Sequence, residues 1–313
     1  MKKITIKISN TVKETFEDFI ISRKAKGLSD KTLTTYNQHF KAIQRHVDVD
    51  IPIDDLTKTD LESMVSRMRE TGLASNTISS YVRTMKTFLS WCNDEEITSL
   101  RMQTYKSEET IKETYTDKEL ERLLKKPNMR QCAFAEYRTW VIINLLVNNG
   151  TRAATVRNIK NKDVDLENLV IYLRHTKSKK SQVIPLCTEL CGILKEYMRI
   201  RGGCDDDFLF PTENGEQLKE HGLRSSVARY NNRRGIQKTS IHAFRHTFAR
   251  KYLVDCGGNA FTLQRLLGHS TLDMTKHYCA IFDADIAKNY DRFSPLSQMK
   301  SNSTRIKIDK SRK

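Results

Sequence analysis

Between residues 11 and 24, apolar side chains fall at Val12, Phe16, Phe19 and Ile20, the three- and four-residue spacing of an amphipathic helix. Gly27 ends that helix, and Ser29-Asp30-Lys31-Thr32 opens a second carrying Leu33, Tyr36, Phe40 and Ile43. A third is capped by the stretch Leu56 to Glu62 and presents Met64 and Met68. The turn Gly72-Leu73-Ala74-Ser75-Asn76 leads into a fourth through Ile78, Tyr81, Met85, Phe88 and Leu89. The first hundred residues thus predict a small all-helical unit of about four helices of ordinary length.

Residues 97–114 are poor in apolar side chains and rich in Lys, Glu, Ser and Thr, which marks a linker with a boundary near residue 108. Thr116-Asp117-Lys118-Glu119 is a capping box, so a helix starts there. Residues 134–148, through Trp140, Ile143, Leu146 and Val147, predict a buried helix that Asn148-Asn149-Gly150 ends. The period then changes. Val164, Leu166, Leu169, Ile171 and Leu173, followed by Val183, Ile184 and Leu186, predict short strands. The polar run from His175 to Gln182 is expected to form the hairpin tip between them. Helices resume from 188 to about 293, and the tail beyond Pro295 is basic and poor in core residues. The expected organisation is a lead of residues 1–10, a helical unit over 11–107, a second unit over 108–294 and a tail over 295–313. The fold class is mainly α with a small β-sheet or hairpin.

The 313 residues carry 54 Lys and Arg against 38 Asp and Glu, a net charge of +16. An excess of this size points to a polyanionic partner, either nucleic acid or an anionic membrane surface. No stretch approaches the roughly 20 apolar residues of a bilayer span, and the N-terminus lacks the apolar run of a secretory signal. The expectation is therefore a cytoplasmic protein whose partner is nucleic acid. Seven cysteines, an odd number with scattered spacing, argue against a disulfide framework. Cys187 and Cys191 are four apart with no second pair to complete a zinc site, so neither metal nor cofactor is expected.

Three segments carry candidate chemistry. In the helix start Ser240 to Arg250, His242 and Arg245 are three apart and share a face, a pair able to hold a phosphate and manage a proton. In the segment Leu263 to Tyr278, Leu263, Leu266 and Leu267 pack one helix and Gly268 stops it. His269 then lies in the turn, Ser270 or Thr271 caps the next helix, and that helix carries Tyr278. Upstream, Arg152 follows the Gly150 turn at a helix start. Alone, the His242–Arg245 pair and Arg152 read as ordinary surface side chains and Tyr278 as a half-buried amphipathic one.

Together these segments resemble the tyrosine recombinases, the phage-integrase and Xer-type DNA breaking-rejoining enzymes. The residues that carry the likeness are Gly150-Thr151-Arg152, His242-Ala243-Phe244-Arg245-His246-Thr247, Leu266-Leu267-Gly268-His269 and, nine residues after His269, Tyr278 in Thr275-Lys276-His277-Tyr278. The basic hairpin ending Val183-Ile184-Pro185-Leu186 resembles the family's β-hairpin, whose catalytic lysine stands eight residues before the proline, at Lys177, with Lys179 and Lys180 as neighbours. The likeness covers essentially the whole chain. It implies a helical SAM-like core-binding domain followed by a mixed α/β catalytic domain. One departure is Thr155, which stands where the family usually has a Glu or Asp three residues after the first arginine.

The resemblance implies catalytic roles for Arg152, Lys177, His242, Arg245, His269 and Tyr278. A phosphodiester resists attack because it is already anionic. Two arginines supply fixed donors that keep their charge at any working pH, and His269 adds a further donor. A phenol of pKa about 10 attacks better as phenolate, so a base helps, and His242 is the expected acid/base. Lys177 would protonate the leaving 5′ oxygen. The product of attack would be a 3′-phosphotyrosyl ester that conserves the bond energy, consistent with the lack of a Gly-x-x-x-x-Gly-Lys-Ser/Thr loop. Asp205-Asp206-Asp207 reads as a solvated turn rather than a metal site.

The expected function is site-specific recombination, as the integrase of a mobile element or, alternatively, a Xer-type chromosome or plasmid resolvase. A reading of another class is a DNA-binding regulator or accessory factor without turnover, and a third is a topoisomerase-like relaxing activity. The implied partners are duplex DNA, four protomers on two DNA sites, and room for a directionality factor; no membrane is involved. Base contacts are expected from Asn76, Ser79, Ser80, Arg83 and Lys86 and from the 216–234 helix. The segment after Tyr278 is amphipathic and suits docking either on a neighbour or on its own domain.

Overall fold

The computed structural model describes residues 9–105, 113–173, 182–269, 271–272 and 275. The chain divides into two compact units, Met1–Thr110 and Ile111–Lys313.

The first unit contains α1 (Val12–Ala25), α2 (Asp30–Ile43), α3 (Lys58–Glu70) and α4 (Ser75–Asp94). Local chemistry starts three of them. Thr11 with Glu14 and Thr57 with Asp60 form reciprocal capping boxes, and the Ser29 hydroxyl accepts from the Thr32 amide. The apolar faces meet in an aromatic cluster. Phe16 and Phe40 stack with centroids 3.8 Å apart, and Phe88 meets both Phe16 and Phe19 edge-on. Each inward position of the sequence pattern is buried or half-buried. The pattern does not reveal the single turn of 3-10 helix at Ile53–Asp55, nor the bridge that pairs Thr11 with Pro52.

The second unit is built around α6 (Phe134–Asn149), whose buried positions run round the helix from Tyr137 to Leu146. A helix apolar all round belongs at the centre of a domain. Around it lie α5 (Asp117–Leu124), α7 (Ala153–Asn158), α8 (Thr188–Arg201), α9 (Glu220–Arg233), α10 (Ile241–Arg250) and α11 (Ala260–Leu267). A single π-helical turn, Lys251–Asp255, continues α10. The small sheet is antiparallel in the order β1 (Val164–Asp165), β2 (Val170–Leu173), β3 (Gln182–Pro185), with Ile171 opposite Ile184. Gln182 is the first residue of β3 rather than part of the hairpin tip, because it pairs with Leu173. The fold is therefore mainly helical with one small sheet. Among the described residues no helix is long and apolar enough to cross a membrane.

Candidate active site

Gly150 turns the chain out of α6 in the left-handed region, at φ 59°. A Cβ there would lie 2.6 Å from Phe248 Cδ1, so glycine is required by conformation and by space. The Asn149 side chain donates to the Pro185 carbonyl at 2.6 Å, which ties this turn to β3. Arg152 follows as the residue that caps α7 at its start.

Arg245, on α10, is only 6% exposed. Its Nη1 donates to the Gly150 carbonyl at 2.8 Å, and its Nη2 to the Leu267 carbonyl at 2.8 Å. The same Nη2 lies 2.7 Å from His269 Nε2. Arg152 Nη2 donates to the Gly268 carbonyl at 3.1 Å. The C-terminal turn of α11 thus gathers both arginines. The carbonyls of Leu267 and Gly268 come after the last amide that the helix can offer them, and the negative end of the helix dipole favours cations there. Gly268 ends α11 in the left-handed region at φ 62° and delivers His269 into the cluster.

Burial first, then Arg245 and Arg152, lowers the His269 pKa to about 4. His242 lies three residues before Arg245 and is exposed. Partial desolvation, then Arg245, Arg224 and Arg152, lower its pKa too, with Glu220 opposing. Both imidazoles are neutral at pH 7 beside two guanidiniums. Such a site attracts an anion with planar oxygens and retains two groups able to accept a proton.

The structure brings Arg152, Arg245 and His269 into one hydrogen-bonded cluster and puts His242 within their field. Lys177 and Tyr278 lie outside the described residues, as do the basic tail and the segment after Tyr278. Thr155 is half-buried and its amide donates to the Arg152 carbonyl; at the guanidinium of Arg152 the described acceptor is the Gly268 carbonyl.

Two residues of the cluster have no role assigned to them by the sequence motifs. Gln182 Nε2 donates to the carbonyls of Arg265 at 3.0 Å and Leu266 at 2.7 Å. Four successive carbonyls, 265 to 268, therefore each accept from a side chain of another element. The signal was period-two alternation: Gln182 shares a strand face with buried Ile184, and a polar residue at an inward position needs a partner. The other is Thr275, whose Oγ1 lies 2.9 Å from His269 Nδ1.

Elsewhere in the second unit, Asp206 pairs with Lys160 and Lys162, and Asp207 accepts from the Cys204 amide in an exposed turn. Among the described residues no group of three His, Cys, Asp or Glu side chains could hold a metal ion. In the first unit, three of the residues expected to read bases have side chains engaged within the unit, Ser80 Oγ donating to the Asn76 carbonyl at 2.9 Å. Lys86 Nζ donates to Thr104 Oγ1 at 2.7 Å, and Ser79 Oγ to the Tyr105 carbonyl at 3.5 Å.

A model of the phage integrase family matches residues 113–284, and one of the phage integrase N-terminal SAM-like domain matches residues 14–96. The chain belongs to the phage integrase family, the tyrosine recombinases. This tyrosine recombinase is 25% identical over 294 residues to tyrosine recombinase XerD of Oceanobacillus iheyensis, covering 89% of this chain and 97% of that protein. Its fold is similar to that of the Tn1549 transposon integrase in complex with transposon right end DNA. There the TM-score is 0.72 with 22% identity, over 91% of this chain and 100% of that one. It is also similar to a lambda integrase tetramer bound to a Holliday junction, with a TM-score of 0.69 and 19% identity over 87% of this chain and 78% of that one. Members of the family are site-specific DNA recombinases, and this recombinase is an enzyme of that class.

Proposed function

We propose that this recombinase cuts duplex DNA with Tyr278, holds the break as a 3′-phosphotyrosyl ester and rejoins it to a new 5′-hydroxyl. The observation that carries this reading is the convergence of Arg152, Arg245 and His269 on the C-terminal turn of α11. Carbonyl acceptors orient a guanidinium without cancelling its charge, so the pair keeps its attraction for a phosphate. In the reaction the two arginines bind the non-bridging oxygens, where charge accumulates as the phosphorus becomes five-coordinate. His269 donates to one of those oxygens. His242, neutral and solvent-accessible, takes the phenol proton of Tyr278. Lys177 protonates the departing 5′ oxygen, which is otherwise a poor leaving group. Rejoining reverses each proton transfer. Four protomers on two duplexes would perform the exchange, as in the assembly named for lambda integrase.

The proposed role is integration for a mobile element, supported by the likeness to the Tn1549 transposon integrase. A second reading, chromosome or plasmid resolution, is supported by the XerD relative. Incubation with suicide half-sites from the flanking DNA, followed by a denaturing gel, tests the chemistry. A covalent adduct is expected with the wild type and none with Tyr278→Phe. No adduct on any native site, or an adduct with Tyr278→Phe, overturns the reading. Matching direct repeats at the ends of a surrounding element, recombined by the protein, separate integration from resolution at a single dyad site.

A further inference from the structure

We infer that Thr275 is a positioning residue for this chemistry: its hydroxyl accepts the Nδ1 proton of His269 and so fixes the ring tautomer whose Nε2 faces Arg245. The inference rests on the reading of His269 as a phosphate ligand and concerns a residue to which that reading assigns no role.

The argument begins with donors. A guanidinium has N–H groups and no acceptor, and it keeps its charge at any accessible pH. Arg245 Nη2 lies 2.7 Å from His269 Nε2, so Nε2 can only be the acceptor there. A neutral imidazole with a lone pair on Nε2 carries its proton on Nδ1. Nδ1 lies 2.9 Å from Thr275 Oγ1 and therefore donates to it. Thr275 is wholly buried, and its amide donates to the Leu272 carbonyl at 2.8 Å, so the hydroxyl is held by its own turn. The chain Arg245–His269–Thr275 has one direction of donation throughout.

That direction matters for binding. In this arrangement Nε2 cannot donate to a phosphate oxygen. It gains that ability when an incoming oxygen takes over the Arg245 donor and Nε2 takes a proton from solvent water. The groups described as facing the ring are Arg245 from α10 and Arg152 from the start of α7, both of which oppose that proton until an anion sits between them. Throughout the exchange Thr275 keeps Nδ1–H paired, so the ring becomes an imidazolium without turning over. Valine at 275 would preserve the shape and remove the hydroxyl that faces Nδ1, at the cost of that hydrogen bond. Thr275 stands three residues before Tyr278 in the chain, so the same hydroxyl links the phosphate-facing ring to the segment that bears the nucleophile.

The test combines ring spectroscopy with cleavage, on the full chain labelled with 15N-histidine, His269→Gln serving to assign the ring. The free wild type is expected to show the Nδ1-protonated pattern. Thr275→Ser should retain that pattern and a near-wild-type rate of adduct formation on a suicide half-site. Thr275→Val should lose the single-tautomer pattern and form adduct about 10-fold or more slowly, as removal of a partner that orients a ligand-binding imidazole commonly does. A wild-type ring protonated on Nε2 overturns the inference, whether or not the valine variant folds. So does a slow Thr275→Val with an unchanged ring pattern, a changed pattern with an unchanged rate, or a Thr275→Ser as slow as the valine. Absence of any wild-type adduct would instead overturn the proposed recombination, and the ring spectra would still decide the contact.

Discussion

The two units of this chain bury polar groups very differently. Among the described residues, the N-terminal unit buries two polar side chains, Thr15 and Thr84, while the second unit buries ten, including Arg138, Asn149, Arg245, Thr247 and Thr275. In the first unit both hydroxyls donate to the carbonyl four residues back along the chain, Thr84 also meeting His39 of α2 at 2.7 Å, and stability rests on packed aromatic rings. In the second, Thr139 and Thr247 donate in the same way, but several buried groups also bridge elements distant in sequence. Tyr115 donates from its amide to Thr247, Arg138 to the Pro211 carbonyl and Arg245 to the Gly150 and Leu267 carbonyls. A buried polar group is costly unless partnered, so each such bridge constrains geometry more tightly than apolar contact does. The difference teaches where accuracy is needed: the helical unit needs shape, and the unit with the arginine cluster needs orientation.

Substitutions that separate shape from orientation test this contrast. The largest effect expected is in the first unit. Phe88→Ala removes a fully buried ring from the aromatic cluster and should cost about 3–5 kcal/mol. Hydrogen exchange during chemical denaturation of the whole protein should resolve it as early unfolding of residues in the first unit. An unchanged protection pattern there would contradict the account of that core. Next is Arg245→Ala, which should lower adduct formation on a suicide half-site by about 10²–10³-fold, as loss of one preorganised donor does. A loss below about 10-fold would contradict the placing of Arg245 on the phosphate.

A pair of glycines sharpens the comparison at smaller cost. Gly72 has φ 73° and open space, with nothing within 4 Å of where a Cβ would sit, whereas Gly150 has φ 59° with Phe248 Cδ1 at 2.6 Å. Gly72→Ala should cost only the left-handed strain, about 1–2 kcal/mol. Gly150→Ala should add an overpacking cost of about 1–3 kcal/mol and weaken the Arg245 contact to the Gly150 carbonyl. Equal losses of thermal stability in the two variants would show that the close approach at Gly150 does not matter.

The smallest effect is on pH dependence. The folded protein holds the His269 pKa at about 4, against an ordinary 6.5. Above pH 6.5 the ring is neutral in both states and this group adds no pH dependence to stability. As the pH falls from 6.5 towards 4, the unfolded chain takes up a proton that the folded one refuses, so stability declines across that window. Below about 4 both states are protonated and the decline from this group ends. His269→Gln should show a shallower decline than the wild type between those limits, measured by denaturant titration at stepped pH; parallel curves would sink the assignment.

Much of the first unit is legible in the sequence because its helices are amphipathic and its starts are coded locally. Thr11 with Glu14 and Thr57 with Asp60 are visible three residues apart, and the buried positions follow the helical period. The same holds for Gly150 and Gly268, since a chain leaving a helix in the left-handed region calls for glycine. Gln182 reads as a hairpin-tip residue because a polar run carries no period of its own, and its strand pairing with Leu173 is set by the partner strand. Thr155 suggests a weakened arginine, but the carbonyl that orients Arg152 belongs to Gly268, 116 residues away.

By itself the sequence determined the main helices of the first unit, several helix starts and stops, the basic charge and the order of Arg152, His242, Arg245, His269 and Tyr278 that carries the family likeness. Those properties depend on neighbours within a turn or on spacing along the chain. The tertiary structure alone decided that the C-terminal carbonyls of α11 hold both arginines, that Gln182 joins their set of partners, and that Arg245, His269 and Thr275 lie within hydrogen-bonding distance of one another in turn. Those contacts depend on atoms brought together by the fold, and no local pattern encodes them.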